Sequence, residues 1–225
     1  MCELYEAAPA LAQSGVYVIS TDEKTGIQAK EHLHPAKPVR PGSVEKIEEE
    51  YIRHGTLSLI AGRNIATGEI VAPLVRETRK ENDFVDHIRT IIEKDPTAEY
   101  VFVMDQLNTH KSETLVRFIA EQCGVTTELG KKGKSGILKN LDTREAFLRD
   151  KTHRIRIVYT PKHSSWMNQI EMWFSIIGRQ LLNRRASFTS KDDLKKKILN
   201  YIQYYNSCLA KPFKWIFNGI KQVVA

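Results

Sequence analysis

Paired cysteines are missing from this sequence. Cys2, Cys123 and Cys208 stand far apart, are odd in number and form no CxxC motif, which excludes a disulfide framework and a thiolate zinc site. No apolar run comes near the roughly 20 residues of a membrane span. The opening MCELYEAAPALAQSG carries Glu3 and Glu6 and no basic segment, so it does not read as a secretion signal. A reducing, cytoplasmic compartment is the expectation. Repeats, low-complexity tracts and a dividing linker are absent too. Acid is in deficit, with 27 Asp plus Glu against 34 Lys plus Arg and a net charge of +7. Two readings of that excess stand open: an ordinary basic enzyme, or a partner made of phosphates. Distribution favours the second, because Lys131 to Arg156 holds nine Lys/Arg and only three Asp/Glu.

What is present is a core. At 41% hydrophobic and 27% charged, the 225 residues describe a soluble globular chain. Gly15 to Asp22 is a β-branched and aromatic run that stops at an acid, and reads as a strand. Gly26 to Gly42 carries three prolines and reads as a loop. Tyr51 to Ala61 and Ile70 to Val75 read as two strands, joined through the turn-like Thr67-Gly68. Phe84, Ile88, Ile91 and Ile92 repeat at helical spacing, predicting a helix from about Asn82 to Lys94. Tyr100 to Met104 is continuously apolar, as a strand buried on both faces should be, and also stops at an acid, Asp105. A helix with Leu115, Val116, Phe118 and Ile119 inward follows. Gly130 to Lys139 reads as a loop and Ile155 to Tyr159 as a strand. A long helix is predicted from about Ser165 to Arg185. A last one starts at the capping signal Ser190-Lys191-Asp192-Asp193, with Leu194, Ile198, Tyr201, Ile202 and Tyr205 inward. This order predicts an α/β fold, a mixed five-stranded sheet flanked by helices. Residues 1–14 are expected to be a lead-in, and 15–225 one domain with a basic insertion at about 126–153.

Asp22 and Asp105 are each predicted at a strand end, where rigid elements can converge carboxylates. Glu171 is placed by helix geometry. Ile170, Trp173, Phe174, Ile177 and Leu181 share an apolar sector with Trp166, and Glu171 lies at its border. Such an acid can point across the sheet end or simply face solvent. Hard oxygen ligands of this kind suit magnesium, and two divalent ions about 3.5–4 Å apart can activate a hydroxyl and stabilise a leaving oxygen in phosphodiester transfer. His32 and His34 form an HxH pair without further ligands, so zinc is not expected.

At these residues the sequence resembles the mariner superfamily of DDE transposases, in its bacterial insertion-sequence branch. The matching stretches are Ser20-Thr21-Asp22-Glu23-Lys24-Thr25-Gly26, Met104-Asp105-Gln106-Leu107-Asn108-Thr109-His110-Lys111 and Tyr159 through Phe174, the last with Pro161, Asn168, Glu171 and Trp173 in register. The resemblance covers nearly the whole chain. It implies a ribonuclease-H-like fold, ligation of two Mg2+ or Mn2+ ions by Asp22, Asp105 and Glu171, and cut-and-paste DNA transposition. It also implies double-stranded DNA as partner, a homodimer, and a bacterial, nucleoid-associated location on DNA. Gln106 departs from the Asn common after the second acid. Sixty-five residues separate Asp105 from Glu171, more than in typical members, and the surplus maps onto the basic insertion.

Around the acids, Asn168 is a candidate to orient Glu171 or hold a water. His110 is a candidate to touch phosphate or to pack locally. Lys131, Lys132, Lys134, Lys139 and Arg179 are candidate DNA contacts. Residues before Gly15 are too few for a helix-turn-helix, so end recognition is expected from elsewhere, and the chain alone is expected to bind DNA without sequence preference. The competing expectation is an idle DNA-binding remnant. Three intact acids favour the enzyme.

Overall fold

The computed structural model describes residues 1–217. Its strands are β1 (Val16–His32), β2 (Tyr51–Asn64), β3 (Ile70–Arg76), β4 (Glu99–Met104) and β5 (Ile155–Tyr159). They form one mixed sheet in the order β3-β2-β1-β4-β5. The pairs β3-β2 and β2-β1 are antiparallel, whereas β1-β4 and β4-β5 are parallel. The helices are α1 (Cys2–Gln13), α2 (Glu81–Ile92), α3 (Glu113–Gln122), α4 (Leu141–Leu148), α5 (Gln169–Gln180) and α6 (Lys191–Cys208). Among the described residues, no helix is long and apolar enough to cross a membrane.

Side chains alternate across β1, and the two faces bury different partners. Ile19 joins Tyr100, Phe102 and Met104 of β4 beneath α2, α3 and α4, where Phe84, Ile88, Leu115, Ile119 and Leu148 are buried. Val18 turns the other way, with Val101 and Val103, to meet Tyr5 and Ala8 of α1. Farther along that second face, Leu57, Leu59 and Ala61 of β2 lie under Trp173 of α5 and Ile198 and Ile202 of α6. Burial on both faces explains the unbroken apolar reading of β4.

Four elements differ from the sequence reading. β1 does not stop at Asp22 but runs on to His32, because β2 pairs with it as far as His32↔Tyr51. The expected loop therefore begins after His32. Residues 2–13, expected as a lead-in, form α1 despite Pro9, and the hydroxyl of Tyr5 donates to the carbonyl of Met167 at 2.9 Å. The expected helix from Ser165 is a short 3₁₀ turn (Ser165–Met167) followed by α5. Asn168 separates them with extended backbone (φ −79°, ψ 109°), and Trp166 is left exposed rather than in the apolar sector. Within the insertion, past the loop expected at Gly130 to Lys139, residues 141–148 form α4, a helix the sequence reading did not assign; Asn140 caps it, its side chain accepting from the Thr143 N–H at 2.8 Å.

Candidate active site

Asp22 owes its position to a difference in pairing length. β1 and β4 pair only from Val16↔Glu99 to Ser20↔Val103, after which β1 continues with β2 alone. Asp22 and Glu23 therefore project beside the end of β4, into the space that Asp105 reaches as β4 ends at Met104. Alternation sends Asp22 toward α5 and Glu23 toward α2. Glu171 enters from the first turn of α5. Its carboxylate comes close enough to Asp22 and Asp105 to feel both charges. The structure thus gathers all three acids found in the sequence.

Asn168 holds this corner together and is fully buried. Its side-chain NH2 donates to Asp22 Oδ2 at 3.0 Å and to the Thr21 carbonyl at 3.1 Å. Its Oδ1 accepts from the Ser20 hydroxyl, and Ser20 Oγ in turn accepts the Ile170 N–H at 2.9 Å. That last bond satisfies one of the amides left without a partner at the start of a helix. Asn168 thus orients Asp22, not Glu171 as the sequence suggested. Asn168→Ala would leave buried Ser20 and Thr21 groups unmatched. It is expected to cost about 1–3 kcal/mol in chemical denaturation; a cost below about 0.5 kcal/mol, within the range of a neutral surface change, would show that the corner is held by other contacts.

His110 is fully buried in a 3₁₀ turn (Asn108–Lys111), packed against Phe84 with ring centroids 4.4 Å apart and the planes tilted by 35°. It does not face solvent to meet a phosphate. Instead its Nδ1 lies 2.8 Å from Asp105 Oδ1 and its Nε2 3.5 Å from Glu23 Oε1. Burial alone would lower its pKa, but the hydrogen bond to Asp105 and the Glu23 carboxylate carry it up to about 10. Imidazolium is therefore its resident form. Asp105 is held below the usual carboxylate range: burial opposes this, and the His110 bond and the Leu107 N–H outweigh it.

Electrostatics separate the acids. Burial pushes Asp22 up to about 7, with Asp105 and Glu171 adding repulsion and His110 opposing it. Burial raises Glu171 as well, Lys24 opposes, and Asp105 adds to the rise. Carboxylates forced together at this cost are what a bound cation would relieve. Ligand atoms of Asp22, Glu23 and His110 lie within 4.8 Å of one another. A donor set drawn from Asp22, Asp105 and Glu171 would be all hard oxygen, the kind that suits Mg2+ or Mn2+.

The sequence reading missed Glu23 and His87. Glu23 carried only a weak signal, its adjacency to Asp22 on a strand. His87 is buried in α2, with Nδ1 2.8 Å from the Ala72 carbonyl and Nε2 2.8 Å from Thr21 Oγ1. The carbonyl can only accept, so Nδ1 carries the proton and Nε2 accepts from Thr21. Burial lowers its pKa to about 4 and keeps it neutral. Gln106, the departure after the second acid, donates to the Thr160 carbonyl at 2.9 Å and ties β4 to the end of β5.

Beside the site opens a groove of about 640 Å³, lined among others by Lys24, Lys30, Tyr51, Glu48 and Arg184. Lys131, Lys132, Lys134 and Lys139 are all exposed, as is Arg179 on α5. The first three ride on a tight turn closed by the Lys131↔Ser135 bridge. Gly130 at its base has φ +85°, and a Cβ there would meet the Ser135 carbonyl at 2.1 Å. Arg154, in contrast, is spent inside, donating to the carbonyls of Ala98 and Gln122, and Arg156 pairs with Glu99. The basic stretch thus divides into exposed lysines, on the turn and at Lys139, and the arginines Arg154 and Arg156 held in structural contacts.

Residues 17–195 match the family model described as DDE superfamily endonuclease. Among solved structures, the chain is similar to the Mos1 transposase paired-end complex with left transposon end, at 14% identity and a TM-score of 0.53, over 90% of this chain and 52% of that one. It is similar also to the Mos1 mariner paired end complex with Mn, at 14% identity and a TM-score of 0.52, over 90% and 54%. The chain spans about half the length of these structures, and identities so low speak to the fold, which is the expected ribonuclease-H-like one. No curated protein matches it. With most of its length inside the family model, and its acids converging at the end of the shared sheet, the chain belongs to the DDE superfamily endonucleases.

Proposed function

We propose that this chain is the catalytic domain of a mariner-type DDE transposase that cuts and joins double-stranded DNA, with two Mg2+ or Mn2+ ions held by Asp22, Asp105 and Glu171. The observation that carries the reading is the convergence of these acids, from β1, the end of β4 and α5, at one end of the central strands. When bound, divalent ions supply positive charge to the attacking and leaving oxygens of a phosphodiester. The chain's own groups do the holding. Asn168 fixes one oxygen of Asp22, His110 fixes Asp105, and the α5 backbone presents Glu171. These contacts set the carboxylates before DNA arrives, so little reorganisation is left for the reaction. The Mos1 paired-end complexes make a pair of DNA ends part of the proposal. The test is strand cleavage and joining of a pre-cut element end with Mg2+ or Mn2+. Binding without cleavage under either ion would support the idle-remnant reading instead.

In the same proposal the lysine turn lies against DNA backbone, with Lys139 and Arg179 as further phosphate contacts. Ammonium groups on a rigid turn suit phosphates, and each contact releases counterions. Replacing Lys131, Lys132 and Lys134 together by Ala is expected to weaken binding to all sequences alike. The slope of log affinity against log salt should fall by about 2–3, near 0.9 per lost contact. An unchanged slope in a gel-shift series would assign the turn to solvent.

A further inference from the structure

The helix α4, inside the insertion, reaches the site through one buried ion pair. Lys111 closes the 3₁₀ turn that carries His110, and only 8% of its side chain is exposed. Its Nζ lies 2.5 Å from Glu145 Oε2 on α4 and sits over the Tyr159 ring, 4.8 Å from the centroid. The Tyr159 hydroxyl donates to the His110 carbonyl at 2.8 Å. Glu145 uses its other oxygen on Arg149 at 2.8 Å. The helix that presents Glu145 is itself anchored. Leu148 is fully buried, the Thr143 hydroxyl donates to the Ile137 carbonyl at 2.9 Å, and Leu138 is fully buried just before it. A short turn with a buried ammonium has few ways to settle without its carboxylate, because an uncompensated buried charge must move toward water. Any such movement carries His110 with it, and with His110 the 2.8 Å contact to Asp105.

We propose that Glu145 is a positioning residue for the metal site, bracing Asp105 through Lys111 and His110, so that the insertion shapes the site from within as well as carrying the lysine turn outside. The inference rests on Asp105 being a metal ligand. Groups that act behind a ligand typically change metal affinity by 10–100-fold. Glu145→Gln is nearly isosteric, and Lys111→Met removes the ammonium from the other side. Lys111→Arg restores a cation able to reach Glu145.

The experiment measures Mn2+ affinity on the intact chain by electron paramagnetic resonance, DNA affinity in EDTA, and the imidazole NMR signals of His110 without metal. Glu145→Gln and Lys111→Met should each weaken Mn2+ binding about tenfold. Both should shift the His110 resonances and leave DNA affinity within about twofold, while Lys111→Arg recovers most of the Mn2+ affinity. Mn2+ affinity and His110 signals unchanged in both variants would overturn the proposal, even with a lower melting temperature, since a purely structural pair moves only the latter. If Asp105→Asn itself leaves wild-type Mn2+ binding unaltered, the metal reading fails, and this inference falls with it.

Discussion

Asp22→Asn, Asp105→Asn and Glu171→Gln should each lower metal-dependent strand cleavage by roughly 10³-fold or more, while circular dichroism stays that of the wild type. A divalent ion in a site of this kind supplies several kcal/mol of charge stabilisation, and about 4 kcal/mol is 10³ in rate. Each amide is near-isosteric with the acid it replaces, so packing survives and ligand charge is lost, with one of the two N–H donors on Asp22, from Glu23 or Asn168, losing its acceptor as well. The three should differ in what else they disturb. In Asp22→Asn the new amide oxygen can still accept from the Asn168 NH2, which meets Asp22 Oδ2 at 3.0 Å. Asp105→Asn leaves the buried imidazolium of His110 with the Glu23 carboxylate alone, at 3.5 Å, so this variant should be the least stable of the three. Glu171 is half-buried at a helix start, and its amide should be the mildest on folding. Cleavage within tenfold of wild type in any one variant would remove that acid from the site.

How much of this was legible in the sequence depends on how local the signal was. α2, α3 and α6 each bury one face against the sheet, and that periodicity is written in consecutive residues such as Phe84, Ile88, Ile91 and Ile92. β4 is apolar from Tyr100 to Met104 because it is the one strand flanked by parallel neighbours and covered on both faces. The true end of β1 was not legible. An acid after an apolar run looks like a strand terminus, and only the distant β2 shows that the strand continues. Proline and a short span hid α1, and α4 is eight residues with little apolar periodicity. Likewise the three acids announced themselves through their motifs, whereas their supports did not. Ser20 meets Asn168 across 148 positions and Lys111 meets Glu145 across 34, distances over which no sequence pattern speaks.

Metal-free protein should lose stability as pH rises, and Asp22 should be the main cause below pH 7. Its carboxyl is raised from 3.8 to about 7 by burial, so between those values the folded chain holds a proton that the unfolded chain releases. The folded state then binds more protons, and unfolding free energy falls with pH across that window. His110 acts in the same direction at higher pH: its raised value means that its stabilisation is whole below about 6.5 and is lost as pH climbs toward about 10. A shift of three units corresponds to about 4 kcal/mol, and coupling to His110 makes that an upper bound. In EDTA, Asp22→Asn should therefore be more stable than wild type at pH 8 by a part of that bound, with a flatter profile from pH 4 to 7. Adding Mn2+ should reverse the ranking. Metal binds the ionised acids, so wild type gains stability with rising pH while Asp22→Asn gains little. Thermal denaturation of both proteins at several pH values, with EDTA and with Mn2+, reads all of this at once. An Asp22→Asn chain less stable than wild type at pH 8 in EDTA would mean that the Asn168 contact, rather than burial of charge, governs this position.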